Sequence, residues 1–225
     1  YRGSKPVMWS PVEKTALAEA EVEYHDVTSH QIWVRFAVEK AIPLALSQGV
    51  PGNMVVTEKD NPTGLRGASV IIWTTTPWTI PQNRAVAFNP TIAYGLYSVT
   101  AADTNATVEV GETVLIADKL AEGVFSAAKV TAFERLREVL SDDLASLILK
   151  HPFHGIEDAN GEWDFPVPLL SGDHVTDDAG TGFVHTAPSH GDDDYQMGLK
   201  YGLPMTYNVE ADGSFRADLP LFGGQ

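Results

Sequence analysis

Residues 180–198 read GTGFVHTAPSHGDDDYQMG and place His185, Thr186, Ser189, His190 and Asp192 to Asp194 close together. Residues of these types serve three chemistries: a metal centre, a nucleophilic dyad, or a carboxylate set to receive a cation. A helical zinc pair needs two histidines one turn apart on one face. Here Thr-Ala-Pro-Ser separates His185 from His190, and the proline breaks any helix between them. GDDDY lacks the alternating oxygen ligands and terminal glutamate of a calcium loop. Ser189 adjoins His190, but no G-x-S-x-G elbow surrounds it. Taken alone, the segment favours a helix start, because aspartates in a first turn stabilise its free N–H groups by about 0.3–1 kcal/mol each. Three carboxylates nevertheless exceed what a cap requires, which leaves one to face a ligand's positive charge.

A second segment, WTTTPWTIPQNRAVAF at 73–88, ends an apolar run in three threonines. Hydroxyls at a strand end commonly reflect β propensity and local turn bonding, and that accounts for Thr74 to Thr76. It accounts less well for a rigid Pro-Trp-Thr-Ile-Pro bend followed by Asn83 and Arg84. Such a bend fixes several hydroxyls and an aromatic ring in one place, as a pocket needs.

A mostly β chain must position both segments. Alternation predicts strands at 17–24, with Ala18, Ala20, Val22 and Tyr24 on one face, and at 32–38. The β-branched run ASVIIWTT (68–75) predicts a strand buried on both faces. RAVAF, IAYGLYSV and TVLIA follow as short strands between Asn-Pro, Asp and Gly turn signals. Helices are expected at 117–128 and from Asp192 onward. Between them the pattern gives a strand to about Val139, a short helix opened by Ser141 and a strand running into Pro152, with one long helix as the competitor. Residues 155–168 are expected to form an exposed loop and strand edge. Many short strands at close spacing point to a barrel or sandwich.

At 225 residues, with 44% hydrophobic and 20% charged residues, the chain can bury a proper core, and a single domain over 1–225 is expected. The apolar runs, such as IPLAL (42–46) and VIIW (70–73), are too short to span a bilayer, and YRGSKPVMWSP has no signal-peptide core. The abrupt start and the FGGQ end suggest a fragment of a longer chain. Zero cysteines exclude disulfides and thiolate zinc sites and fit a reducing, cytoplasmic setting. A formal net charge of −15 makes the chain a poor stand-alone binder of duplex nucleic acid, since that affinity comes from Lys and Arg neutralising phosphates. Any nucleic acid it handles should be a short single-stranded end, held elsewhere by a larger protein.

WTTTPWTIPQNRAVA together with GTGFVHTAPSHGDDDYQMG closely resembles the editing domain of isoleucyl-tRNA synthetases of bacterial and organellar type. YRGSKPVMWS, TALAEAEVEY and LSGDHVTDDAGTG extend the likeness over nearly the whole chain. Valyl and leucyl siblings usually carry Thr-Thr-Arg-Pro where Thr74-Thr75-Thr76-Pro77 stands here. The resemblance implies a mixed fold of β with α, a β-barrel core with peripheral helices inserted in the catalytic domain of a parent synthetase. It implies proofreading hydrolysis of valine misattached to the isoleucine tRNA, and possible action on valyl-adenylate. The need is physical: a pocket that accepts isoleucine rejects one missing methylene by only about 1–3 kcal/mol, a limit for which the isoleucyl enzyme is itself the standard example. A second, smaller pocket must admit valine and exclude isoleucine.

Residue roles follow from the same resemblance. Asp194, nine positions after His185, should bind the α-ammonium by a charge-assisted bond. His185 and Thr79 should form the wall that isoleucine's extra methylene would strike. Thr75 and Thr76 should place the ester and the attacking water, with Thr74 in support. Trp78 should close the pocket or meet the RNA end, and Asn83 should be a polar contact. His190 receives no role, and Asp192 and Asp193 keep a capping role. No metal is expected at these residues. The cysteine pair found near the start of some relatives is missing, so zinc is not expected there; the HIGH-like and KMSKS-like motifs of the ligase are missing too, so the parent's ATP and magnesium are not expected to act in this domain. Expected partners are the 3′ end of the aminoacylated tRNA and the rest of the synthetase, with no membrane and no DNA. The alternatives are an editing domain for another branched amino acid, a metal-dependent hydrolase built on His185, His190 and the aspartates, and a non-catalytic RNA-docking module.

Overall fold

The computed structural model describes residues 6–41 and 63–225. The IPLAL run and the first five residues of the YRGSKPVMWS segment lie outside them. A two-residue hairpin, β1 (Trp9–Ser10) with β2 (Thr15–Ala16), opens the described chain. Nine further strands form one sheet: β3 (Ile32–Ala41), β4 (Ser69–Thr74), β5 (Ala85–Phe88), β6 (Tyr94–Ala102), β7 (Thr113–Ala117), β8 (Val130–Val139), β9 (Leu147–Lys150), β10 (Pro166–Ser171) and β11 (Phe183–Thr186). Their order is β11-β5-β10-β9-β3-β4-β7-β6-β8. Among the described residues three α-helices accompany the sheet: α1 (Ala121–Ala127), α2 (Ser141–Ala145) and α3 (Asp192–Tyr201).

Hydrophobic pattern located most of these elements. The alternation through Ile32, Val34 and Phe36 becomes β3, paired antiparallel with β4 from Ile32–Thr74 to Ala37–Ser69. β4 is buried on both faces as expected. Val70 and Ile72 join the main core with Phe36, Leu115, Leu149 and Phe183. Ile71 joins a second core with Tyr97, Ile116, Val124 and Phe125 under α1. The strand-helix-strand reading of 130–150 also holds, as β8, α2 and β9, and no long helix forms there.

Three expectations are corrected. Residues 17–24 form no strand: Glu19–Glu21 is a 3-10 turn in which the Glu21 carboxylate accepts the Ala18 N–H at 2.7 Å. Alternating Ala and Glu offers no β-branched surface to pack, and Ala18, Ala20 and Tyr24 remain exposed. Residues 155–168 are not simply an exposed loop, because Ala159 and Trp163 are buried against Leu219, with Phe153, Phe215 and Phe222 packed beside them. The strand that follows, β10, is internal, lying between β9 and β5. Its prolines fit because Pro166 and Pro168 face only β9, while the parallel pairing with β5 begins at Leu169.

The third correction concerns the barrel. The sheet curls so that β11 lies alongside β4 and its entry is bonded to β7, where the Ala117 N–H donates to Thr181 O at 3.0 Å. The Tyr94 hydroxyl donates to Gly182 O at 2.7 Å and reinforces the same contact. No ladder joins β11 to β4 among the described residues, so the sheet wraps its core without closing into a barrel. The curl brings the end of β4 and the end of β11 to one place.

Candidate active site

At the end of β4 the Thr74 hydroxyl accepts the Thr76 N–H at 3.1 Å and lies 3.2 Å from the Thr76 hydroxyl. This turns the chain out of the strand. Pro77 then starts a 3-10 turn, Pro77–Gln82, whose first position suits a residue with no N–H to donate. Thr79 caps it internally, with its N–H at 3.0 Å and its hydroxyl at 2.8 Å from Thr76 O. With its amide oriented so that the nitrogen faces the two carbonyls, Gln82 donates to Trp78 O at 3.1 Å and Thr79 O at 3.2 Å. The bend is therefore stitched by its own side chains.

Across the curl, β11 pairs with β5 so that His185 faces Val86 and Thr186 faces Ala85. This register sets His185 Nε2 at 2.9 Å from the Thr79 hydroxyl, with both residues buried. The bond order fixes the tautomer. Thr79 has one hydroxyl proton and gives it to Thr76 O, so His185 must donate from Nε2 and carry its bare lone pair on Nδ1. Among the described residues Nδ1 is buried without a hydrogen-bond partner, as are Thr186 Oγ1, Ser189 Oγ and His190 Nε2 further along the same segment and Asn83 Oδ1 in the bend. Burial, with a smaller push from His190, lowers the His185 pKa to about 4, so the ring is neutral at physiological pH.

Asp194 enters from the first turn of α3. Its Oδ2 accepts the Ala187 N–H at 3.0 Å, two residues beyond His185. Burial raises its pKa to about 6; the Ala187 bond opposes the shift and Asp193 adds to it. Asp192 and Asp193 are exposed in the same turn, as capping residues would be. The Trp78 ring meets the His190 ring edge-on, at 5.2 Å between centroids and 89° between planes, and Trp78 remains 49% exposed.

The structure thus assembles Thr74, Thr76, Thr79 and His185 in one bonded set, with Asp194 tied to the same loop and Trp78 over His190. Thr75 stands apart: it is exposed, and its carbonyl accepts the Ser29 hydroxyl at 2.8 Å. Asn83 is fully buried and donates to Ala85 O at 2.8 Å, which places it inside the frame of the bend. Two open clefts of about 320 Å³ lie off this set. One, between Trp33, Trp73 and Lys119, is lined by the opposite face of β4 from Thr74; the other borders the loop at Pro188, Ser189 and Tyr195. Among the described residues no group of three His, Cys, Asp or Glu could hold a metal ion. The sequence did not single out Gln82, the Ala187 N–H, or the two residues beneath the bend, His151 and Trp163. Nothing in their local pattern marks them, and His151 and Trp163 in particular act across the fold, on carbonyls 71 and 82 residues away.

Residues 1–208 match the family model for tRNA synthetases class I (I, L, M and V). The chain belongs to this family. Among relatives, the isoleucine–tRNA ligase of Mesorhizobium japonicum is 48% identical over 234 residues, covering 99% of this chain and 23% of the relative. That of Caulobacter vibrioides is 48% identical over 231 residues, covering 100% of this chain and 21% of the relative. The chain therefore spans less than a quarter of the length of these curated class I synthetases. The isoleucyl likeness carried by the threonine-rich and HTAP segments is met by these relatives. In three dimensions the chain is similar to the P. falciparum cytosolic leucyl-tRNA synthetase editing domain, with TM-score 0.45 and 11% identity, covering 79% of this chain and 71% of that one. No helix among the described residues is long and apolar enough to cross a membrane.

Proposed function

We propose that this chain is the editing domain of an isoleucyl-tRNA synthetase, hydrolysing valine misattached to the isoleucine tRNA in the cytoplasm, with valyl-adenylate as a further substrate. One observation carries the reading. The 2.9 Å bond between Thr79 and His185 puts the threonine-rich bend and the HTAP loop side by side, with Asp194 of α3 bonded to that loop at the Ala187 N–H. A cavity that sorts amino acids by size needs such a wall, and it needs a carboxylate at a fixed distance from it.

In this mechanism Asp194 takes the α-ammonium by a charge-assisted bond and so orients the ester. Thr79 and neutral His185 form the wall that a valyl side chain clears and an isoleucyl one strikes. The Thr76 hydroxyl, supported by Thr74, holds the attacking water, and Thr75 contacts the ester from the exposed side. Water adds to the carbonyl carbon, the bond to the ribose oxygen breaks, and the water's proton passes to that oxygen. The products are valine and tRNA with a free terminal hydroxyl. An activated ester requires no covalent nucleophile and no metal in this scheme. Trp78, half exposed over His190, is positioned to meet the single-stranded 3′ end, while the rest of the synthetase, with its ATP and magnesium, grips the tRNA. Asn83 acts through the frame of the bend.

The test is deacylation of isoleucine tRNA charged with valine, threonine or isoleucine, before and after chelation. Valyl ester should be cleared, isoleucyl ester spared, and chelation should change nothing. Rapid clearing of the isoleucyl ester, or loss of activity on chelation, would overturn the assignment.

A further inference from the structure

The threonine bend is held from beneath by two buried rings that belong to neither signature segment. His151 Nε2 lies 3.0 Å from Ile80 O, and its Nδ1 accepts the Phe153 N–H at 3.1 Å. The second bond leaves Nε2 as the protonated nitrogen, so His151 donates to Ile80 O. Trp163 Nε1 donates to the next carbonyl, Pro81 O, at 2.9 Å. The two rings are 17° from parallel with centroids 6.0 Å apart, and both are almost wholly buried. Phe153 and Phe222 pack edge-on against Trp163 and fix it in turn. Two residues further along, the Asn83 carbonyl accepts Arg84 Nη1 at 2.7 Å, and the Arg84 guanidinium sits 4.3 Å from the centre of the Phe165 ring. Segment 151–165 therefore engages the bend at Ile80 and Pro81 directly and at Asn83 through Arg84.

We propose that His151 and Trp163 are positioning residues that set the height of Thr79 against His185, and hence how large a side chain the site admits. This rests on the editing reading. Thr79 directly precedes Ile80 in a 3-10 turn that rises only about 2 Å per residue, so a shift of the Ile80 and Pro81 carbonyls passes to Thr79 with little loss. A ring that only filled space would not need its N–H. Here both ring N–H groups are spent on consecutive carbonyls of the one turn that carries the wall.

The experiment compares Trp163→Phe, His151→Phe and His151→Gln in the full-length protein. Trp163→Phe keeps an aromatic filler and loses the N–H; His151→Gln keeps a side-chain N–H that His151→Phe lacks. Each is assayed for kcat/KM on valyl and isoleucyl esters. One methylene is discriminated by roughly 10–200-fold, and loosening the wall should cost about tenfold of that ratio, largely as gained isoleucyl hydrolysis. His151→Gln should recover part of it. Amide hydrogen exchange of residues 76–84 should quicken in both Phe variants while β6 and β7 stay protected. Equal losses on both esters with an unchanged ratio, or unchanged exchange in the bend, would overturn the proposal. If the wild type clears neither ester, the editing reading fails, and exchange alone then decides whether these rings hold the bend. Should Trp163→Phe melt early, the His151 pair carries the test.

Discussion

On the proposed reading Asp194 stabilises a bound ligand, while its burial is costly for the fold, and the two effects separate with pH. Burial raises its pKa from 3.8 to about 6, so the folded state disfavours its ionised form. That cost is complete above about pH 6 and disappears as pH falls toward the unfolded value. Asp194→Asn should therefore melt no lower than wild type at pH 7, with any advantage shrinking as pH falls through 6. Its deacylation should nonetheless drop by roughly 10–150-fold, the worth of a 1.5–3 kcal/mol bond to a charged group. Wild-type kcat/KM should rise with pH through an apparent pKa near that of the buried Asp194 carboxyl in the unliganded protein, about 6. His185 adds no limb in this window because its pKa lies at about 4. Its stability effect runs the other way: a depressed histidine favours the fold above pH 6.5, and the benefit is lost as pH falls through 4. Asp192→Asn and Asp193→Asn should each lower stability by about 0.3–1 kcal/mol and leave turnover intact. Calorimetry and deacylation on the three variants decide this, and equal behaviour of all three would reduce Asp194 to a cap. From the residues alone it was legible that three carboxylates exceed a cap, but not which of them was the extra one. Family likeness singled out Asp194, and burial now explains the difference, which no spacing within GDDDY could carry.

The elements most faithfully written in the sequence are those whose burial is set by their own pattern. β3, β4 and β7 announce themselves by alternation or by β-branched runs. β11 does not, because FVHT is four residues long and is a strand only through β5 and the curl. Trp163 was hidden for a similar reason: Gly, Asp and Asn around it signal a turn, and nothing local says that the turn plugs the underside of the bend. The curl itself depends on Gly182, with φ at +79° and no room for a side chain, since a Cβ there would collide with that of Ala117 and crowd Tyr94. Gly64, at φ +66°, has open space around it. Positive φ alone costs a residue other than glycine about 1–3 kcal/mol. Gly182→Ala should therefore lose more stability in urea than Gly64→Ala and should also impair deacylation, because β11 carries His185. Equal losses at the two positions would mean that the contact between β7 and the entry to β11 is soft.

For the molecule as a whole, fold class was legible and closure was not. Counting short strands says how much sheet there is, but whether a ninth strand meets the first depends on long-range register that pattern does not encode. Charge is the property that composition states most directly. With a formal net charge of −15, self-repulsion opposes the compact state and is screened by salt over about 10 Å at 0.1 M. Against it stand ion pairs such as Arg135–Asp118 at 2.7 Å, Arg35–Glu112 at 2.6 Å and Arg216–Glu162 at 2.9 Å, which salt weakens. Surface pairs of this kind are worth only about 0–1 kcal/mol each, whereas the repulsion is summed over the whole surface. Repulsion should win: the melting temperature should rise steadily between about 0.02 and 0.5 M sodium chloride, over the range where the screening length shrinks from tens of ångströms to a few. A fall over that range would mean that the arginine pairs, and not the excess of carboxylates, govern the chain's electrostatics.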